Sequence, residues 1–219
     1  MAGVASVGAK RGENYGGQSR QERAAGRRDR LVAAAVQLFA ARSYDDVTVS
    51  DVCALARVSK RYFYDHFTDR EALLLSVHRE VNDWLLAGLA AAAPRDPAGV
   101  EELLRPMLGA LVRLLAEHPQ RARVIYINAP RMELRRRGVL RHDADVVARL
   151  VGPVVGPPRD PVRYERTLLT LVAGITQVVI DWVWRDMTDP PEPLVDHLTT
   201  LATAILLSLG PADGAPPER

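Results

Sequence analysis

The residues best suited to chemistry in this 219-residue sequence lie between Val58 and Asp69, where Ser59, Lys60, Arg61, Tyr62 and Tyr64 interleave with Phe63 and Phe67. A hydroxyl, an ammonium, a guanidinium and two phenols form a donor-rich set that matches phosphate oxygens and base edges. Phe63 and Phe67 stand one helical turn apart, so they mark the buried side of a short helix and leave the polar groups on the other. Catalytic patterns are missing: there is no Gly-rich phosphate loop, no Gly-x-Ser-x-Gly and no His-Glu-x-x-His, and the only lysines are Lys10 and Lys60. The nearest approach to a metal cluster, His142, Asp143 and Asp145, reads as the solvated start of a helix. No enzyme, metal or cofactor is expected. Cys53, the single cysteine, reads as a small buried hydrophobe.

The elements that must hold this segment are helical. No sustained period-two alternation occurs and no hairpin turn joins apolar runs, whereas apolar residues recur at helical spacing. Leu31, Ala35, Leu38 and Phe39 define a first helix over about 23–42. Thr48 with Asp51 three residues on predicts a capped second helix with Val49, Val52, Cys53 and Ala56 inside, and Ser59 can cap the third. Thr68 and Glu71 offer a capping box for a long fourth helix, buried through Leu73, Val77, Val81, Trp84 and Leu85. Two short helices behind an amphipathic one make a helix-turn-helix, whose last helix fits the DNA major groove. The first thirty residues carry a net charge of +4 and the rest −2, which suits a molecule that meets a polyanion at one end. The Arg-rich start reads either as an arm for the minor groove or as bulk charge at a helix start.

The run from Val58 to Leu73, with Phe39, Tyr44, Thr48, Val49, Asp51 and Val52 upstream, resembles the signature of tetracycline-repressor (TetR) family regulators over about 31–75. Phe63, Tyr64, His66 and Phe67 take the family's apolar, Tyr, His and Phe places. Arg57 and Arg61 stand where the family usually has Gly, and Arg70 where it usually has Lys. The resemblance implies phosphate contacts from Thr48, Tyr64, His66 and Arg70, and base-edge contacts from Lys60, Arg61 and Tyr62, with Arg61 reading guanine. Ser59 serves as a cap and a further phosphate donor.

Beyond Pro94 to Pro97, helices are expected at about 98–117, 120–137, 141–151, 162–187 and 192–209, with a Pro- and Gly-rich loop over 152–161. The longest apolar run, Leu168 to Val183, falls short of a membrane span, so a buried helix and a soluble cytoplasmic protein are expected. Both of the last two helices carry more apolar surface than one core requires, which predicts a four-helix dimer interface. The resemblance adds an effector pocket in the middle helices, for which Trp84, Met107, Tyr126, Met132, Gln177 and Trp184 are candidates, and pendulum motion of the fourth helix as the link to DNA. The expected organisation is a disordered basic arm over 1–22, a DNA-binding domain over 23–75, an effector and dimerisation domain over 76–210 and a tail over 211–219. The expected function is a bacterial homodimeric repressor released from a palindromic operator on double-stranded DNA by a small apolar effector. An activator, and a helical interaction protein that has lost DNA binding, stay open.

Overall fold

The computed structural model describes residues 20–128 and 133–209. The expected arm up to residue 19, Met132 and the expected tail lie outside the described residues. Within them the chain is all-α, and no residue is in a strand.

Helix α1 (Arg20–Ala41) buries Leu31, Ala34, Ala35 and Phe39. A 3-10 turn at Tyr44–Asp46 leads to α2 (Val49–Ala56). There Thr48 and Asp51 form a complete capping box: the Asp51 amide donates to Thr48 Oγ1 at 3.2 Å, and the Thr48 amide to the Asp51 carboxylate at 2.9 Å. Helix α3 spans Lys60–Tyr64, and α4 spans Arg70–Ala92. The cap of α4 is Asp69, which accepts from the Ala72 amide at 2.7 Å, and not the expected Thr68. A carboxylate next to the helix dipole is a stronger partner for that orphan amide than a hydroxyl.

The second half begins with α5 (Val100–Glu117) and α6 (Pro119–Arg123). The single helix expected over 120–137 is instead interrupted by a π-helical stretch, Val124–Asn128. Helix α7 (Glu133–Val155) then merges the two expected pieces, and it runs through Gly152 and Pro153 to stop at Gly156, which takes the left-handed φ of 80°. Helix α8 (Pro161–Trp184) starts where Asp160 accepts from the Val162 and Arg163 amides, and α9 covers Pro191–Leu207. At 24 residues α8 exceeds the expected apolar run and is long and apolar enough to cross a membrane by length and composition.

One continuous apolar core extends from Leu31 to Leu206. Helix α5 packs on α4 and α9, α7 on α8, and α1 on α2, α4 and α6. Polar ties cross it. Arg123 Nε donates to the Ala40 carbonyl at the end of α1 (3.0 Å), and its Nη1 pairs with Asp186 after α8 (3.1 Å). Asn82 on α4 donates to the Asp143 carboxylate on α7 at 2.8 Å.

His78 lies one turn before Asn82 on α4, and both are buried. Burial holds the His78 imidazole below its ordinary range, with Asp83 partly opposing, while burial pushes the Asp143 carboxyl up against the lowering effect of Asn82. As pH falls through about 6.5 the unfolded chain binds a proton at His78 before the folded one does, so folding stability drains away by up to about 1.4 kcal/mol per pH unit. Asp143 works in the opposite sense, at lower pH, nearer the carboxylate range. In urea titrations between pH 7 and 5.5, His78→Leu is expected to show a shallower decline than the parent chain. Parallel curves would exclude a buried neutral imidazole.

Candidate nucleic-acid interface

Five residues cannot sustain a helix alone, so α3 depends on what it packs against. Phe63 and Phe67 are buried with rings 5.7 Å apart, and Val58 closes the same core. This anchoring turns Lys60, Arg61, Tyr62 and Tyr64 outward. Tyr64 is 59% exposed and its ring meets the Phe63 ring edge-on at 5.2 Å, while Tyr62 is 41% exposed. Ser59 opens α3 without a side-chain cap hydrogen bond, so the expected cap is not made. Its hydroxyl is exposed beside Lys60.

The turn between α2 and α3 explains the first departure from the family pattern. Arg57 adopts φ 53° and ψ 45°, the left-handed conformation that ends α2, and it is exposed. A side chain there clashes with its own backbone in a way that glycine avoids. Arg57→Gly is therefore expected to raise stability by about 1 kcal/mol, read as a higher urea midpoint, while removing a positive charge from the interface. An unchanged or lowered midpoint would show that the arginine makes compensating contacts.

Three other expected DNA contacts are placed less simply. Thr48 is exposed, but its hydroxyl is held at 2.7 Å by Asp51, whose carboxyl is kept below its ordinary range mainly by that hydroxyl and then by the Thr48 amide. His66 is half-buried, and its Nε2 is enclosed without a hydrogen-bond partner. Arg70 differs most from expectation: its Nη1 donates to the carbonyls of Tyr44 (3.0 Å), Asp45 (3.2 Å) and Val47 (2.6 Å), and its guanidinium lies 4.1 Å over the Tyr44 ring. It ties the 3-10 turn to α4 from within the domain. One nitrogen serves all three carbonyls, and the planar guanidinium adds the contact over the Tyr44 ring, which a compact ammonium cannot give as a flat stack.

Sequence reasoning missed the contribution of α1. Arg27 stacks over the Tyr62 ring at 4.3 Å. Arg28 donates to Ser76 at 2.7 Å and pairs with Glu80, both on α4, with the Phe67 ring beneath it at 5.8 Å. These partners lie 35 to 52 residues away in the sequence, beyond any spacing rule.

The candidates for the effector pocket do not converge. Met107 and Tyr126 are buried in the core, and burial pushes the Tyr126 phenol up. Gln177 is exposed and Trp184 is 60% exposed, so neither lines an interior space as expected. Trp84 instead borders an outer groove of about 670 Å³ between α1, α4 and α6, where the His118 ring meets it edge-on at 5.1 Å and Arg121 covers it at 4.3 Å. Cys53 is buried, as its apolar position predicts, and burial raises its thiol. Among the described residues no group of three or more His, Cys, Asp or Glu could hold a metal ion.

Three helices that place a donor-rich third helix over a Phe63–Phe67 core define a helix-turn-helix protein. Residues 31–77 match the sequence pattern of bacterial regulatory proteins, tetR family. It is similar to the HTH-type transcriptional regulator TcmR of Streptomyces glaucescens, with 32% identity over 96 residues, a match that spans 44% of this chain and only 40% of that relative's length. The fold is that of the fatty acid degradation regulator FadR from Bacillus halodurans, with TM-score 0.68 and 22% identity over 81% of this chain and 94% of that one. FadR from Bacillus subtilis, solved in complex with stearoyl-CoA, superposes with TM-score 0.64 and 18% identity over 80% of this chain and 97% of that one.

Proposed function

We propose that this protein is a sequence-specific DNA-binding transcriptional regulator that acts as a homodimer, a repressor released from its operator by a small, largely apolar effector. The observation that carries the reading is the outward row of Lys60, Arg61, Tyr62 and Tyr64 on a helix pinned by Phe63 and Phe67. Lys60, Arg61 and Tyr62 reach base edges, and Ser59, Tyr64 and His66 hold phosphates, joined by Thr48 when its hydroxyl turns from the Asp51 carboxylate to a phosphate oxygen. Arg57 adds a phosphate contact in place of the usual glycine's close backbone approach. The DNA-binding unit is taken as 23–75 and the effector and dimerisation unit as 76–210.

Dimerisation through α8 and α9 rests on their outer surface. Val162, Leu201 and Leu207 are exposed, and a groove of about 710 Å³ runs between the two helices past Thr170, Leu201, Ala204 and Ile205. Only a third of the apolar window of α8 is buried within the chain, so a second copy covers the remainder better than water does. A two-fold dimer calls for an inverted-repeat operator. An effector acts by binding better to the form whose recognition helices are wrongly spaced, and it lowers operator affinity by that difference. The acyl chain held by the Bacillus subtilis FadR suggests long apolar molecules as the first class to screen. The protein works in the bacterial cytoplasm, where its operator lies.

The test is selection from random duplex DNA by the purified protein near physiological salt, with sequencing of the retained pool. An enriched inverted repeat is the expected result. A pool without a motif, from a folded dimer, would overturn the reading in favour of a protein that only binds other proteins.

A further inference from the structure

The contact between α1 and α3 carries an inference that rests on this reading. We propose that Arg27, outside the helix-turn-helix itself, is a positioning residue for DNA recognition, which fixes the Tyr62 ring as a preset part of the base-reading surface.

Tyr62 sits third in a five-residue helix and is well exposed, a setting in which a tyrosine ring ordinarily samples several rotamers. Here the guanidinium of Arg27 lies over it, with Cζ 4.3 Å from the ring centroid. Planar, weakly hydrated guanidinium groups stack on aromatic faces while their outer N–H groups stay available. Arg27 is itself constrained: its Nε is enclosed and has no hydrogen-bond partner. Its neighbour Arg28 is held by Ser76 and Glu80, and Leu31, one turn on from Arg27, is fully buried. The α1 backbone at this point is therefore pinned to α4 and the core, and Arg27 passes that rigidity to a side chain on α3. A ring ordered before DNA arrives loses less conformational freedom on binding, and the gain falls on sequences that fit its fixed position. A mere phosphate contact by Arg27 predicts something different, a uniform loss across all sequences with a smaller salt dependence.

The experiment uses the full chain and the operator recovered by selection. Arg27→Ala keeps a strong helix former in α1, so the fold should survive, and a urea titration verifies it. The expected result is an affinity about 10-fold weaker for the operator, with base preference flattened at the same operator position that Tyr62→Ala flattens. The double variant should bind no worse than Tyr62→Ala alone. In the DNA-free protein, Arg27→Ala should shift the Tyr62 ring resonances and leave those of Tyr64 in place. Multiplicative effects of the two substitutions, or a uniform loss with a salt slope smaller by about 0.9, overturn the positioning role. Unchanged Tyr62 resonances overturn the stack itself. A parent protein that selects no motif overturns the regulator reading, a failure recognisable because the resonance shift is measured without DNA.

Discussion

Replacing Arg70 by alanine is expected to lower folding stability by about 2 to 4 kcal/mol, because three carbonyls lose a charged donor at once and two of those bonds are partly buried. The stack on Tyr44 goes with them. Urea unfolding followed by circular dichroism measures the loss, and hydrogen exchange should show faster opening of α2 and α3, whose entry turn Arg70 holds. Arg70→Lys should recover about half, since an ammonium still donates to carbonyls but cannot stack as a plane on the Tyr44 ring. The result also decides between two roles. A variant that keeps its stability to within about 0.5 kcal/mol, the usual range for a surface change, yet loses DNA affinity would return Arg70 to the phosphate contacts and remove it from the scaffold.

The second large effect concerns association. Leu201 is 46% exposed on α9, at the groove it shares with α8, so a charge there is tolerated by the single chain but not by an apolar interface. Leu201→Arg should convert a dimer into a monomer in sedimentation while leaving the thermal transition of dilute protein nearly where it was. Operator affinity should fall about 1000-fold, because the second half-site is no longer held at high effective concentration. A variant that still sediments as a dimer with operator affinity intact would place the interface elsewhere on the molecule.

How far the sequence reached depended on the range of each interaction. The capping box at Thr48 and Asp51 is an i, i+3 pattern and was legible in full, as were the buried faces through Leu31, Phe39, Phe63 and Leu73. At the start of α4 the pattern was ambiguous, since Thr68 and Asp69 are both good caps and only the geometry selects the carboxylate. The middle helices were misread at the π-helical stretch after Arg123, where an extra residue per turn breaks the periodicity that locates helices. The glycine positions taken by Arg57 and Arg61 could be named from the pattern, but the left-handed backbone at Arg57 shows what the departure costs. The pocket candidates fared worst. Size and polarity pick out Gln177 and Trp184 as readily as Met107 and Tyr126, yet only the packing of α8 decides which of them face inward. The links made by Arg27, Arg28 and Arg123 join residues far apart in the chain and leave no spacing signal at all.

Where α4 crosses α5, Gly88 lets a methyl group of Leu114 occupy the place a side chain would need, since a Cβ there would come within 2.4 Å of Leu114 Cδ1. The two helices thus touch closely near the far end of α4, 18 residues from Arg70, which is a lever arm of about 27 Å at 1.5 Å per residue. Taken as a fulcrum, this crossing multiplies small rotations: a tilt of about 5° about Gly88 carries the Arg70 end through about 2 Å along that arm. The same tilt barely moves residues beside the crossing. If an effector of the kind proposed above acts from the α5 side, a shift of its immediate neighbours by a fraction of an ångström is enough to move the other end of α4, and the turn that Arg70 fastens to it, by a distance that a DNA groove can register.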